Sequence, residues 1–280
     1  MNTSPPKAEY LPIDKLKPFV DHPFQVKDDN EMDQLVFSVL TQGLLTPITV
    51  RVTDTDEYEV ISGHRRLRAS QKAGIDTVPA LIYSMDRDAA IIALVDSNLH
   101  REHLLPSEKA HAYKMKLEAI KHQGKTSRQV VGKLESADLI ADNESGRQVQ
   151  RYIRLTNLIP EILQMVDLGK IALTPAVELS YLRKSEQRDL LETMESEDCT
   201  PSLSQSQQLK KMSQSGELDM DKIFELMRQP KANQEEKLRL DMSQIRRYFP
   251  KNYSTEKIQQ TILRLLEKYE RNWRRNRDER

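Results

Sequence analysis

Cysteine and aromatic residues are scarce in this sequence. Cys199 is the single cysteine among 280 residues, which excludes an intrachain disulfide framework and a cysteine-rich zinc site. Because disulfides belong to oxidising compartments, a cytosolic protein is expected. Phe, Trp and Tyr make up 5% of the chain and hydrophobic residues 38%. This composition favours several small cores over one large core around a deep substrate cavity.

Long apolar runs are also absent. No stretch approaches the roughly 18 apolar residues of a membrane span, and residues 1–17 lack the apolar core of a signal peptide. We therefore expect no contact with a membrane. Lys+Arg and Asp+Glu number 43 each, so that the formal net charge is +0. This balance does not exclude nucleic acid, because acidic segments elsewhere can compensate a basic face.

The first third of the chain alternates between helix and strand patterns. Apolar residues at helical spacing over 35–40 end at Gly43, which is typical of a helix stop. Alternation of apolar and polar residues predicts three strands, near residues 48–52, 58–61 and 78–83. We predict an α+β domain over residues 11–100, preceded by a flexible tail over residues 1–10.

Strand patterns nearly vanish after Asp86. We predict a helical domain over residues 101–195, then a linker or loose helices over residues 196–236, where Ser, Gln and Pro are frequent. A helical C-terminal region is predicted over residues 237–280. It carries an apolar stripe at helical spacing, formed by Ile258, Ile262, Leu265, Leu266, Tyr269 and Trp273. This stripe either mediates dimerisation or packs on residues 245–249.

The segment over residues 61–69 combines a strand end, a glycine and an arginine-rich helix start. Unpaired backbone N–H groups and the helix dipole favour anions at a helix N-terminus, and Gly63 permits close approach to the backbone. Arginine side chains add planar, charged donors. The segment therefore predicts a phosphate site. The alternative is a strand-to-helix turn with solvated arginines.

A second polar segment covers residues 96–102, between two predicted helices. Asn98 is a candidate ligand of Mg²⁺ or of a phosphate, and Arg101 is a candidate partner of a phosphate group. The alternative is a capped loop between two helices.

Three short boxes in this order resemble the ParB partition family. They are His22-Pro23-Phe24-Gln25-Val26-Lys27, Gly63-His64-Arg65-Arg66-Leu67-Arg68-Ala69 and Ser97-Asn98-Leu99-His100-Arg101. The flanking segments over residues 11–16, 43–48 and 73–80 fit the same family. The resemblance covers about residues 8–185 and is much weaker beyond them.

The resemblance implies an α+β N-terminal domain of ParB/sulfiredoxin-like fold and a protein that binds CTP with Mg²⁺. It implies that Asn98 assists the metal ion through CTP. The nucleotide-binding residues that it implies are Gln25, Lys27, Gly63, His64, Arg65, Arg66, Arg68, Asn98, His100 and Arg101. No catalytic residue is assigned.

The resemblance also implies a cellular role. Two copies would bind a centromere-like DNA site as a homodimer, and CTP binding would make them clamp and spread on the double-stranded DNA. The process served would be plasmid or chromosome partition, in the cytoplasm at the nucleoid or plasmid, with a ParA-type ATPase as partner.

Departures from the family motifs bear on hydrolysis. The acidic residue of the last box is Ser97 here, and a hydroxyl is a poor substitute for a carboxylate that holds Mg²⁺ and positions water. We therefore expect at most a weak CTP hydrolase. His64 stands where the motif has glutamate, and Lys27 stands where the first box has arginine, which removes a bidentate fork.

Residues 145–155 have the pattern of a DNA recognition helix, with a serine cap, basic and polar side chains and an apolar face at Val149, Tyr152 and Ile153. This segment makes the helical domain over residues 101–195 a predicted helix-turn-helix domain. The first helix of the motif is either 127–134 or 136–141. The candidate DNA contacts are Arg128, Lys133, Ser145, Arg147, Gln148, Gln150, Arg151 and Arg154.

Two other functions remain open from the sequence. The first is a helix-turn-helix transcription regulator that no longer responds to nucleotide, which the departures at Lys27, His64 and Ser97 favour. The second is an ATP-dependent phosphotransferase, because the domain also resembles sulfiredoxins and serine kinases of the same fold. The reactive cysteine of the sulfiredoxin turn is absent before His64, and an enzyme leaves the helical half of the chain unexplained.

Overall fold

The computed structural model describes residues 6–53, 57–101, 103–124, 144–229, 245–250 and 252–278. The chain divides into two compact units, Met1–Gln229 and Pro230–Arg280. The predicted boundaries at residues 100 and 195 both fall inside the first unit.

A mixed sheet forms the start of the first unit. In the described residues its strands are β1 (Lys7–Pro12), β2 (Leu16–Pro18), β3 (Ile48–Val52), β4 (Tyr58–Ser62) and β5 (Thr77–Tyr83). They lie in the order β1-β5-β3-β4-β2. The β1/β5 and β3/β4 pairs are antiparallel, and the β2/β4 and β3/β5 pairs are parallel.

Strand β1 starts at Lys7, inside the segment that the sequence predicts to be a flexible tail. Its residues pair with β5 from Lys7 opposite Ile82 to Pro12 opposite Thr77. Most of its side chains are exposed and only Leu11 is buried. The strand is therefore fixed by backbone pairing with a distant segment, which an apolar pattern does not reveal.

Helices α1 (Asn30–Gln42) and α2 (His64–Lys72) pack together on the sheet domain. The Asp29 carboxylate starts α1 by accepting a hydrogen bond from the Met32 backbone N–H. The helix ends at Gly43, which has φ 71°, as the sequence predicts. Met32, Val39 and Ala69 form the buried contact between the two helices.

The remainder of the first unit is helical. Its helices in the described residues are α3 (Arg87–Leu99), α4 (Pro106–Gly124), α5 (Gly146–Leu155), α6 (Pro160–Asp167), α7 (Leu173–Leu179), α8 (Lys184–Ser196), α9 (Leu203–Ser215) and α10 (Met220–Arg228). The α+β start followed by helices confirms the predicted fold class.

Helices α9 and α10 lie where the sequence predicts a linker or loose helices. Leu209 of α9 and Ile223 of α10 are fully buried in the same core as Leu155, Ile162 and Leu190. The polar composition of this segment hides its packing, because Gln205, Ser206 and Ser213 are themselves buried and hydrogen-bonded.

The second unit contains α11 (Thr255–Asp278). Ile258 is buried, whereas Leu263, Leu265, Leu266 and Tyr269 are exposed. The side chain of Trp273 lies outside the described residues. None of the described helices has the length and hydrophobicity that a membrane crossing requires.

The packing of α9 predicts the effect of a cavity mutation. Leu209 is 0% exposed and Leu203, on the same helix, is 41% exposed. We expect Leu209→Ala to lower the free energy of unfolding by about 3 kcal/mol, because a buried leucine is lost and a cavity remains. The matched control Leu203→Ala should cost less than about 1 kcal/mol. Urea denaturation measures both, and equal small effects would contradict the packing of α9 in the core.

Candidate functional site

A cavity of about 400 Å³ lies between the segment after β2, the start of α2 and the segment that joins α3 to α4. This size is in the range of small-molecule sites. The lining residues are Gln25, Lys27, Asp29, Glu31, Arg65, Arg101, His103, Leu104, Leu105 and Glu108. Four of them, Gln25, Lys27, Arg65 and Arg101, are predicted nucleotide-binding residues, and all three predicted boxes contribute at least one.

Arg65 is ion-paired inside this cavity. Its Nη2 lies 3.2 Å from Asp29 Oδ1 and 3.3 Å from Glu31 Oε2. The hydrogen bond from the Met32 N–H, together with that from Arg65, lowers the pKa of the Asp29 carboxyl. A phosphate that binds Arg65 therefore has to compete with carboxylates of the same chain.

Arg66 and Arg68 do not line the cavity, although the sequence predicts them as nucleotide contacts. Arg66 Nη1 donates hydrogen bonds to the carbonyls of Thr46 (2.9 Å) and Pro47 (2.6 Å). Arg68 is ion-paired with Asp28 at 2.9 Å. Successive residues of a helix point about 100° apart, which turns Arg66 away from the cavity, whereas Arg68 is held outside the cavity lining by its ion pair with Asp28.

Gly63 starts α2 in a left-handed conformation, with φ 100° and ψ 24°. A Cβ atom at this position would lie 2.8 Å from Ile48 Cγ2, which is too close for any side chain. Glycine is therefore required for the conformation and for the contact with β3. These constraints fix the direction in which α2 presents Arg65.

His64 packs on His22, which belongs to the first motif box but is not among the predicted nucleotide-binding residues. Their ring centroids are 3.8 Å apart, and His22 Nδ1 donates a hydrogen bond of 2.7 Å to the Phe24 carbonyl. Burial lowers the pKa of His64 to about 3, and the charges of His22 and Arg101 add to this effect. The position of the motif glutamate is thus held by a neutral imidazole, outside the cavity lining.

Glu108 of α4 is a cavity residue that sequence reasoning missed. Its Oε1 accepts the Gln25 N–H at 2.8 Å, and its Oε2 accepts the Leu105 N–H at 3.0 Å. The side chain is buried and joins two walls of the cavity. Glu108 lies three residues after Leu105, which directly precedes the helix, and a glutamate at this spacing is the signal of a capping box. This signal could have identified the bond to Leu105 but not the bond to Gln25.

Asn98 and His100 also lie outside the cavity lining. Asn98 is buried, and its Nδ2 donates to the Leu94 carbonyl (2.8 Å) and to Ser97 Oγ (3.1 Å). His100 is exposed at the end of α3. Asp96 does not replace the missing acidic residue of the box, because it forms an ion pair of 2.6 Å with Lys116 of α4. The role of Asn98 toward Mg²⁺ stays a prediction.

Helix α5 presents the predicted DNA-contacting side chains. Ser145 caps it by accepting the Gln148 N–H, while Val149 and Leu155 are fully buried. Arg147 is exposed, and Gln148, Gln150, Arg151 and Arg154 are half-buried. Arg128, Lys133 and both candidate first helices of the motif fall outside the described residues, so that the helix-turn-helix stays a prediction.

The charges of α5 are balanced differently from those of α2. Within the described part of the chain, no carboxylate forms an ion pair with Arg147, Arg151 or Arg154. Arg151 instead bonds to the neutral side chains of Gln148 and Thr174. Among the described residues, the arginines of α5 therefore keep their positive charge without a carboxylate partner.

Comparisons with known proteins show what the first part of the chain is similar to. The model of the ParB N-terminal domain matches residues 2–99. A nucleoid occlusion protein of Listeria monocytogenes serotype 4a (strain HCC23) is 34% identical over 165 residues, which are 59% of this chain and 53% of the relative. A nucleoid occlusion protein of Bacillus cereus (strain B4264) is 40% identical over 113 residues, which are 40% of this chain and 39% of the relative.

A solved structure is similar over a larger part of the chain. The C-terminally truncated chromosome-partitioning protein ParB from Caulobacter crescentus, complexed with CTP-gamma-S, is 27% identical with a TM-score of 0.32. The match covers 62% of this chain and 92% of that one. The curated relatives are matched over 39% to 62% of their own length.

The buried histidine predicts a pH dependence of stability. His64 is neutral in the folded protein, whereas in the unfolded chain it takes up a proton below about pH 6.5. The folded state is therefore destabilised as pH falls from about 6.5 toward 3. Between about pH 7.5 and about pH 5.5, we expect the free energy of unfolding to fall by about 1 kcal/mol less in His64→Gln than in the wild-type protein.

Urea denaturation at the two pH values measures this difference. His100→Gln, which removes an exposed histidine, is the matched control and should retain the wild-type pH dependence. A pH dependence of His64→Gln equal to that of wild type would show that His64 is not buried in its neutral form.

Proposed function

We propose that this chain, whose residues 2–99 match the model of the ParB N-terminal domain, is a ParB-type protein that binds CTP in the cavity and double-stranded DNA through α5. The observation that carries the proposal is the convergence of the three motif boxes on one cavity. The second support is the basic face of α5, whose charges are free of ion pairs within the described residues.

Lys27, Arg65 and Arg101 are the cavity groups suited to a triphosphate. These three side chains extend from the three segments that line the cavity. Arginine forms strong, charge-assisted hydrogen bonds to phosphate oxygens. We propose that phosphate oxygens of CTP replace Asp29 and Glu31 as partners of Arg65, while Gln25 contacts the nucleotide from the wall that Glu108 holds.

Mg²⁺ belongs to this proposal as the ion that accompanies the phosphates. Carboxylate oxygens are the ligands that it takes in proteins, and Asp29 and Glu31 supply them in the same cavity. Asn98 is not among the residues that line the cavity, and its Nδ2 donates to the Leu94 carbonyl of its own helix, so that Asn98 has to move to reach the ion. Hydrolysis of CTP is proposed to be weak, since Ser97 replaces the acidic residue of the box.

We propose that the DNA-bound form is a homodimer. Leu265, Leu266 and Tyr269 of α11 are exposed, and the spacing of the apolar positions that run from Ile258 to Tyr269 suits a seam between two helices. CTP binding would close the two N-terminal domains on DNA and permit spreading from a centromere-like site. A ParA-type ATPase is the partner that this role requires.

The cellular process follows from what the DNA-bound protein does. Partition of a plasmid or chromosome is the role that we propose, at the nucleoid or plasmid in the cytoplasm. The curated relatives are named nucleoid occlusion proteins, which makes nucleoid occlusion the second role for the same DNA-binding activity. In cells that lack the protein, plasmid loss without a division defect would support partition. Division across the nucleoid in such cells would support occlusion.

A transcription regulator without a nucleotide response is the second candidate function. The ion pairs of Arg65 with Asp29 and Glu31 favour it, because they satisfy the arginine without a phosphate. The two candidates differ in whether CTP changes the affinity for DNA.

Removal of Arg65 tests the nucleotide site. We expect Arg65→Gln to weaken CTP binding by at least about tenfold, since a charged hydrogen bond to phosphate is worth roughly 1.5–3 kcal/mol. Arg68→Gln is the matched control, because Arg68 lies on the same helix outside the cavity lining, and it should change the affinity by less than about twofold. Isothermal titration with CTP in Mg²⁺ measures both.

Two outcomes of this titration would contradict the nucleotide site. Equal losses in the two variants would mean that the helix contributes only its general charge. Failure of the wild-type protein to bind CTP, with and without DNA, would leave the nucleotide-independent regulator.

Removal of Arg147 tests the DNA-binding face. The exposed guanidinium is expected to contact a DNA phosphate, so that Arg147→Gln should weaken DNA binding and reduce the slope of log affinity against log salt by about 0.9. Arg228→Gln is the matched control, because Arg228 is already ion-paired with Glu197 at 3.1 Å. Fluorescence anisotropy with a labelled duplex over a KCl series measures the slope. An unchanged slope in Arg147→Gln would place the DNA elsewhere.

A further inference from the structure

The ring of Tyr181 contacts two cations. Arg154 Cζ of α5 lies 3.8 Å from the ring centroid, and Lys210 Nζ of α9 lies 3.9 Å from it. Both distances are within the range of a cation–π interaction. Tyr181 follows α7 directly after Ser180, so that one aromatic side chain contacts a cation of α5 and a cation of α9.

Two hydroxyl groups of the same segment hold the arginines of α5. Arg151 Nη2 donates to Thr174 Oγ1 at 2.6 Å, and Arg154 Nε donates to Ser180 Oγ at 3.3 Å. Lys210 is fixed on its side by an ion pair of 2.8 Å with Glu178. Both guanidinium groups are thus oriented by neutral partners from residues 174–181.

Neutral partners orient a charge without cancelling it. A carboxylate in the place of Thr174 or Tyr181 would hold the arginine equally well but would remove the attraction for an anion. Three arginines of the sheet domain show the other arrangement, since Arg51, Arg65 and Arg68 each pair with a carboxylate. The α5 surface is therefore built to keep its charge.

Orientation before binding lowers the cost of binding. An arginine side chain carries about 2 kcal/mol of rotamer entropy, and fixing it in advance removes part of that cost from association. The contacts themselves add little to folding, because Thr174 and Tyr181 are exposed and α7 is anchored by the buried Ala176 and Leu179.

We infer that Thr174, Ser180 and Tyr181 are positioning residues of the DNA-binding surface, which hold Arg151 and Arg154 ready for the phosphates of a DNA duplex. This inference rests on the proposed function. It adds the segment over residues 174–181 to the DNA-binding surface, which the sequence predicts only over residues 145–154.

The test compares variants that keep all charges with one that removes a charge. Tyr181→Leu removes the ring, Thr174→Val removes the hydroxyl with little change of shape, and Tyr181→Phe retains the ring as the matched control. Arg154→Gln removes a guanidinium. Anisotropy of a fluorescein-labelled duplex, selected from a random library by the wild-type protein, gives the affinity over a KCl series.

We expect Tyr181→Leu and Thr174→Val each to weaken binding by about two- to fivefold, and the double variant by about tenfold. Their salt slopes should equal that of wild type, because no charge is lost. Arg154→Gln should reduce the slope by about 0.9, and Tyr181→Phe should bind like wild type. The thermal unfolding midpoint of each variant is measured beside the affinity, and we expect it to stay near that of wild type.

Three results would overturn the inference. Unchanged affinity of the double variant, with a wild-type protein that binds the duplex, shows that residues 174–181 do not position the arginines for DNA. Loss of affinity only in proportion to loss of folded protein assigns these residues a structural role, and Thr174→Val decides this if Tyr181→Leu does not fold. Failure of the wild-type protein to select any duplex overturns the proposed DNA binding itself.

Discussion

The carboxylate of Glu108 links the sheet domain to the helical part of the first unit. It accepts one hydrogen bond from the Gln25 backbone N–H beside the sheet domain and another from the Leu105 N–H at the start of its own helix, α4. The same helix packs on α5 through Tyr113, Leu117 and Val149, and Lys109 of α4 forms an ion pair of 2.7 Å with Glu144 beside the α5 cap. One helix therefore carries a wall of the cavity at one end and supports α5 along its length.

Positive charge is distributed in two ways over this framework. Around the cavity the cations are accompanied by carboxylates, so that Arg65 meets Asp29 and Glu31 before it meets a ligand. On α5 the guanidinium groups bond to hydroxyl, amide and aromatic partners. The formal net charge of +0 is thus compatible with two different local arrangements of positive charge. The arrangement around the cavity suits a ligand that brings its own cation and displaces an internal partner of Arg65. The arrangement on α5 suits the long-range attraction of a polyanion.

The motif boxes predicted the three segments that line the cavity, whereas periodicity predicted only part of the fold. The fold class, the helix stop at Gly43 and three of the strands follow from local patterns, and the family model confirms the resemblance over residues 2–99. Strand β1 and helices α9 and α10 were not predicted as packed elements, since distant backbone pairing fixes the first and buried glutamine and serine residues conceal the others. A motif also gives no directions. It groups Arg65, Arg66 and Arg68, yet the turn of α2 sends them to a cavity, to two carbonyl groups and to Asp28. Glu108 and Tyr181 act through partners far away in the sequence, which one-dimensional spacing cannot reveal.

Hydrogen exchange with and without nucleotide tests the central claim most directly. The claim is that CTP binds between the segment over residues 25–31, the start of α2 and the segment over residues 101–108. Mass spectrometry of the full chain with Mg²⁺ should show CTP-dependent protection of backbone amides in these three segments, and much weaker protection with ATP, GTP or UTP. Absence of protection in all three, or equal protection by every nucleotide, would contradict the account.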